Sequence, residues 1–328
     1  MDLQTVTRTL TTMFRSGLRA LLVGPPGVGK SDAVAQAASD AGSDLILSHP
    51  SVEDPTDVRG IPWIVDGDAR FIPHDALRRA CAATKPTVWF LDDLGQAPPA
   101  TQAAYMQLLL SGRLGEHTIS REVTLCAATN RRADRAGVSG ILAPVQDRFH
   151  AIIDVEAGFD QWAIWAATHA IDPRCVAYLH MNREDLYHPR GGEIQGSPSP
   201  RSWAAANSLM ASGLDPALAL GQAVGIKLDH FLRNLGSMPD VDEIIRTGIV
   251  PELSPDLTYA TVSALVGRTT LATWPSIATV IEHLAADREP WAVLLFRQIA
   301  VTLPSIQTQG GPSLAALTAG RLGKIILG

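Results

Sequence analysis

Apolar positions along the first half of the chain follow two periods. Leu3, Val6, Leu10, Met13 and Phe14 fall three and four residues apart, the spacing of one helical face. Ala20-Leu21-Leu22-Val23 then runs apolar without a break, a short buried strand that ends in a glycine- and proline-rich turn. Ala33, Val34, Ala37 and Ala38 return to helical spacing, and their small side chains predict a helix lying close on a sheet. Further short apolar runs occur at 45–47, 87–91, 123–128 and 152–155, most of them separated by helical stretches. A strand that is apolar at successive positions is covered on both faces. Its alternation with helices therefore predicts an α/β fold with a parallel five-stranded sheet between helical layers.

Two interruptions shape the rest. Between the second and third strands, Trp63-Ile64-Val65-Asp66-Gly67-Asp68-Ala69-Arg70-Phe71-Ile72 places an Asp-Gly step between apolar runs, a hairpin signal. After residue 156 the strand pattern stops and helical spacing dominates, broken by a glycine-, serine- and proline-rich loop from His188 to Pro200. The expected organisation is an α/β domain over 1–156, a helical lid over 157–237 and a helical C-terminal extension over 238–328. The second boundary is placed at Ser237-Met238-Pro239.

The chain has 328 residues, 46% apolar and 18% charged, enough for about two globular domains and a sizeable core. A net charge of −6 argues against a primary role in gripping nucleic acid. Cys81, Cys126 and Cys175 lie far apart, so neither a disulfide framework nor a zinc site is readable, and a reducing cytoplasm is the expected setting. Met1-Asp2-Leu3-Gln4-Thr5 lacks the pattern of a signal peptide, and no apolar run approaches the ~18 residues that span a bilayer. A soluble cytoplasmic protein without membrane insertion is expected. Basic charge is almost wholly arginine, with lysine only at 30, 85, 227 and 324, which sets Lys30 apart.

Gly24-Pro25-Pro26-Gly27-Val28-Gly29-Lys30-Ser31 fits G-x-x-x-x-G-K-[ST] in full, between a predicted strand and a predicted helix. Glycines let backbone N–H groups turn inward around phosphates, and the helix start adds its positive dipole end. Lys30 is then expected to bridge the β- and γ-phosphates, and the Ser31 hydroxyl to ligate Mg²⁺, so ATP and Mg²⁺ are the expected ligands. Such a site needs a carboxylate at the end of a buried strand. Val88-Trp89-Phe90-Leu91-Asp92-Asp93 supplies two: Asp92 to hold the metal, Asp93 to orient or deprotonate the attacking water.

Three later residues narrow the class. Asn130 ends the strand at 123–128, Arg148 lies in Pro144-Val145-Gln146-Asp147-Arg148-Phe149, and Arg201 lies in Ser197-Pro198-Ser199-Pro200-Arg201-Ser202-Trp203. In this order with the lysine loop and the Asp-Asp strand, they resemble an AAA+ ATPase. Leu91-Asp92-Asp93-Leu94-Gly95-Gln96-Ala97-Pro98-Pro99-Ala100-Thr101-Gln102-Ala103-Ala104 resembles the MoxR branch, related to dynein modules, as does Ser-Pro-Arg at 199–201. The likeness covers about residues 18–205.

That resemblance implies an AAA+ phosphate-loop core, followed by the helical lid and the extension, with Asn130 as sensor 1 and Arg201 as sensor 2. Arg148 would be the arginine finger entering the neighbouring subunit's site, with Arg131 and Arg132 as alternatives. It also implies a homo-oligomeric ring, usually a hexamer, that remodels a protein substrate, often with a partner bearing a von Willebrand A domain. The hairpin at Asp66-Gly67 sits where the family inserts one into its second helix, and an ordinary surface hairpin would carry the same signal. Asp93 stands where the family has glutamate, and the stretch from Ser111 to Glu122 is short for the family's hairpin before sensor 1. An ATP-gated assembly scaffold with weak hydrolysis, a phosphate-loop kinase and a nucleic-acid motor are the competing functions.

Overall fold

The computed structural model describes residues 1–131, 140–188, 195–235 and 238–319. By contact the chain divides into two units. The first holds Met1–Gly158 with Ser199–Arg201, and the second holds Phe159–His188, Gln195–Pro198 and the chain from Ser202. The expected boundary at Ser237 lies outside the described residues.

The first unit is built on strands β1 (Ala20–Val23), β2 (Asp44–Ser48), β5 (Thr87–Leu91), β8 (Val123–Thr129) and β9 (Ala151–Asp154). They form one parallel sheet in the order β2-β5-β8-β1-β9. Successive side chains of a strand point to opposite faces, and here both faces are buried. Leu21, Trp89, Leu91, Leu125 and Ala127 enter one core with Tyr105, Leu108 and Leu109 of helix Pro99–Ser111. Ala20, Leu22, Val88, Phe90, Cys126 and Ala128 enter the other, with Ala33, Val34, Ala37 and Ala38 of helix Lys30–Asp40 and the apolar face of helix Leu3–Arg15. This double burial is why the strands read as continuous apolar runs.

Two hairpins leave this core. Strands β3 (Ile61–Val65) and β4 (Asp68–Ile72) pair antiparallel around Asp66-Gly67, both at positive φ as the turn requires. Trp63 and Ile64 on this ribbon are 66% and 72% exposed. The short stretch from Ser111 to Glu122 does contain a hairpin, contrary to its length: β6 (Arg113–Leu114) and β7 (His117–Thr118) pair antiparallel. It fits because its strands are two residues each and Gly115, at φ 56°, turns the chain at once. The two hairpins are tied together, with Phe71 N–H donating to Glu116 Oε1 at 2.9 Å and Phe71 O 2.8 Å from His117 Nε2.

The second unit is helical throughout its described residues. Its main core packs Val262, Leu265, Trp274, Ile277, Ile281, Leu284, Leu295, Phe296 and Ile299, on helices Pro255–Arg268, Trp274–Asp287 and Glu289–Thr302. Elsewhere in it, the buried Asp185 carboxylate accepts from Tyr178 Oη at 2.5 Å and from Lys227 Nζ at 3.1 Å. No helix among the described residues is long and apolar enough to cross a membrane.

Candidate functional site

The site begins where β1 ends. Gly24 turns directly against the end of β9, where a Cβ would sit 2.5 Å from Val155 O. Gly27 and Gly29 have φ of 75° and 99°, a region costing a residue with a Cβ about 1–2 kcal/mol. Gly29 caps helix Lys30–Asp40, whose first unpaired N–H groups and dipole make an anion cradle. Ser199–Arg201 lie against this loop: a Cβ on Gly27 would come 3.2 Å from Ser199 Oγ and 3.3 Å from Arg201 Cβ.

Lys30 is buried at 7% exposure, and its Nζ donates to Gly24 O and Pro25 O at 2.9 Å and to Asn130 Oδ1 at 2.8 Å. The ammonium thus fixes which end of the Asn130 amide is oxygen. The other end, Nδ2, donates to Asp93 Oδ1 at 3.4 Å. Asn130 is as buried as Lys30 and joins the loop lysine to the second carboxylate of the Asp-Asp pair.

The two carboxylates part company at the end of β5. Asp92 Oδ2 accepts the Ser31 hydroxyl at 2.6 Å, and Asp92 Oδ1 accepts the Asp93 N–H at 3.0 Å. A hydroxyl and a carboxylate side by side are the hard oxygen donors that Mg²⁺ takes, so the donor set fits that ion. Asp93 adopts the left-handed conformation at φ 55°, and its carboxylate takes different partners from that of Asp92. Its Oδ1 also accepts from Gln96 Nε2 at 3.1 Å. Burial, then the Asp92 charge beside it, hold the Asp93 carboxyl above its ordinary 3.8, while Lys30, His49 and Arg201 pull it back.

The arginines divide between two ends of the sheet. Arg201 is exposed and lies close enough to act on Asp93. Arg131 is engaged within its own chain, its Nε and Nη2 both donating to Asp154 Oδ1. Arg132 lies outside the described residues. Arg148 is brought to none of these groups. It sits just before β9, where His150 N–H donates to Arg19 O at the start of β1. From Arg19 to Gly24 the strand rises about 16 Å, so Arg148 and the phosphate loop occupy opposite edges of the sheet.

Several contributors carry no strong sequence signal. Gln96 was visible only as part of a motif, and His49 reaches Asp93 through the pairing of β2 with β5. Gly95 is required by space, because a Cβ there would meet Thr129 Oγ1 at 2.1 Å, one residue before Asn130. Gln102, fully buried, donates to Ala97 O and Gly140 O and accepts from Leu142 N–H, fixing the segment that leads to Arg148. Its long reach identifies it only once the helix is folded.

Known proteins resemble parts of this chain. The human ATPase family gene 2 protein homolog B is 33% identical over 120 residues, which is 34% of this chain and 14% of that protein. Its bovine counterpart is 34% identical over 122 residues, with the same shares. The chain thus matches about one seventh of the length of these curated relatives. Among solved structures, Thermotoga maritima RuvB (P216G mutant) aligns over 74% of both chains at 14% identity and a TM-score of 0.44. Brucella abortus NtrX in complex with ADP aligns over 94% of this chain and 68% of its own at 13% identity and a TM-score of 0.43. The sheet order and the phosphate loop, rather than these distant likenesses, define the fold. The family model for the AAA domain (dynein-related subfamily) matches residues 19–149, from the residue before β1 to the residue after Arg148.

Proposed function

We propose that this chain is a MoxR-type AAA+ ATPase that hydrolyses ATP with Mg²⁺ at the interfaces of a homo-oligomeric ring, six copies by family habit, and remodels a partner protein. The observation that carries the reading is the continuous contact Lys30–Asn130–Asp93 beside the Ser31–Asp92 pair. ATP supplies the transferable phosphoryl group and Mg²⁺ neutralises its charge when both are bound. Lys30 would hold the phosphate oxygens, and Ser31 and Asp92 would hold the metal. Asp93 accepts a proton from the attacking water, and Asn130 reports on the phosphate as sensor 1. Arg201, against Gly27, serves as sensor 2.

Arg148 is assigned to the neighbouring copy's phosphate, because its own loop is about 16 Å away along β1. Planar guanidinium fingers of this kind contribute roughly 10³–10⁵ in rate. Arg148→Ala is therefore expected to bind ATP and scarcely hydrolyse it. Mixed with Lys30→Ala, which has a dead loop and an intact finger, it should regain activity above either variant alone. Mixed rings that form without any gain, or normal turnover by Arg148→Ala, would refute the assignment.

One observation favours a second reading, an ATP-gated assembly scaffold. Asp93 is already engaged by Gln96 and Asn130 and is held toward its protonated form. Nucleotide-dependent assembly without steady phosphate release would decide for the scaffold.

A further inference from the structure

At the edge of the first unit's sheet opposite the phosphate loop lies a cavity of about 360 Å³. Arg19, Arg121 and His150 line it together with the hydroxyls of Thr118 and Ser120, and among the described residues no carboxylate lines it. His150 Nδ1 accepts the Arg19 backbone N–H at 2.9 Å, which leaves Nε2 as the donor of the ring. The charged groups are all cations, and the hydroxyls can turn to donate.

Arg148 deepens the imbalance. Burial and the neighbouring Arg148 charge hold the Arg19 guanidinium below its ordinary pKa. Arg148 Nε is itself buried with no hydrogen-bond partner among the described residues. Neighbouring guanidiniums with an unmet buried donor are costly for a protein by itself. A bound anion of two or more charges in the cavity relieves the repulsion through charge-assisted hydrogen bonds to Arg19.

We propose that this cavity is a second anion site for a phosphate-class group, with Arg19 and Arg121 as its charged ligands and His150 Nε2 as a further donor. The group is free in solution or is the phosphoryl end of a nucleotide held by a second copy. The site stands on its own lining and does not require Arg148 to act on a neighbour. Filling it lowers the repulsion between Arg19 and Arg148, so its occupancy and the placement of Arg148 are linked.

The probe is inorganic pyrophosphate, titrated by calorimetry into Lys30→Ala protein, whose phosphate loop is disabled, at a dilution where sedimentation shows single copies. Binding is expected. Adding Arg19→Met or Arg121→Met should weaken it at least tenfold, while Arg8→Met, an arginine remote from the cavity, should leave it unchanged. Arg121 is exposed, so its variant keeps the test alive should Arg19→Met fail to fold. If single copies bind nothing, the second source is read from wild-type protein assembled on a non-hydrolysable ATP analogue. There Arg121→Met should raise the concentration needed for assembly at least tenfold with the analogue and not with ADP. Absence of both effects overturns the site, as does an Arg8→Met loss equal to that of Arg121→Met.

Discussion

Replacing Asn130 by alanine tests the join between the loop and the carboxylates. Lys30 Nζ meets Gly24 O, Pro25 O and Asn130 Oδ1 at 2.9, 2.9 and 2.8 Å, within a pocket where both side chains are 7% exposed. The substitution takes one acceptor from a buried ammonium. Hydrogen bonds to charged groups contribute about 1.5–3 kcal/mol. The longer contact from Nδ2 to Asp93, at 3.4 Å, adds little. A loss of about 2–3 kcal/mol follows for the nucleotide-free protein. In a domain of roughly 150–250 residues each kcal/mol moves Tm by about 2–4 °C, so the expected drop is about 4–12 °C.

The assay is thermal unfolding without nucleotide, followed by near-UV circular dichroism or intrinsic fluorescence, since Trp89 lies in the same unit. Asn130→Ala should unfold earlier, and a Gln107→Ala control on a neighbouring helix should not. A midpoint for Asn130→Ala within 1 °C of the wild type would mean that the Lys30–Asn130 contact contributes nothing, and the chain from loop to carboxylate would lose its first link.

Three further outcomes follow from the same geometry. Gly95→Ala should destabilise by about 1–3 kcal/mol by overpacking against Thr129, and Thr129→Ala should recover part of it; unfolding midpoints in denaturant measure both. Asp93→Glu should slow phosphate release by about 10², because Gln96 and Asn130 are spaced for the shorter side chain and a ~1 Å displacement has that effect; unchanged turnover removes Asp93 from the catalytic groups. Under the proposed function Asp93 takes the proton in its ionised form, so the acid limb of the hydrolysis profile should stand higher than for an ordinary carboxyl, since its pKa is raised. Gln96→Ala, which removes a donor to the ionised form, should move that limb to still higher pH.

How much of this was legible in the sequence depends on the range of each signal. The five strands were readable because each is apolar on both faces, and the phosphate loop because its function requires consecutive residues. Asp92 and Asp93 were readable as a pair. Their different partners were not, because Gln96 and Asn130 meet Asp93 only once the chain is folded. The hairpin of β6 and β7 escaped a reading based on length, since two-residue strands leave no alternating pattern. Asn130 stood out only by its place after a strand. Its double contact, to Lys30 on one side and Asp93 on the other, exists because β8 lies between β5 and β1 in the sheet, a neighbour relation that no local pattern encodes. Arg131 shows the same limit: the sequence offers it as an alternative finger, and its pairing with Asp154 exists only once β9 is in place.

The direction of the strands carries the last step. In a parallel sheet every carboxyl end lies on one edge, so the loop after β1, Asp92 after β5 and Asn130 after β8 converge there without long side chains. The same rule sends Arg19 before β1 and Arg148 and His150 before β9 to the other edge. No rotamer change brings the two groups to one phosphate, since a strand's length separates them. Copies meeting head to tail in a ring can do so, each presenting its cations to the next copy's loop. Under the proposed function a single copy is therefore a half-site in both directions, and turnover per chain at saturating ATP should rise with protein concentration until assembly is complete. A rate per chain that stays flat across the range where sedimentation shows assembly would place the catalytic cation within the copy, and Arg201 would then be the residue to which it belongs.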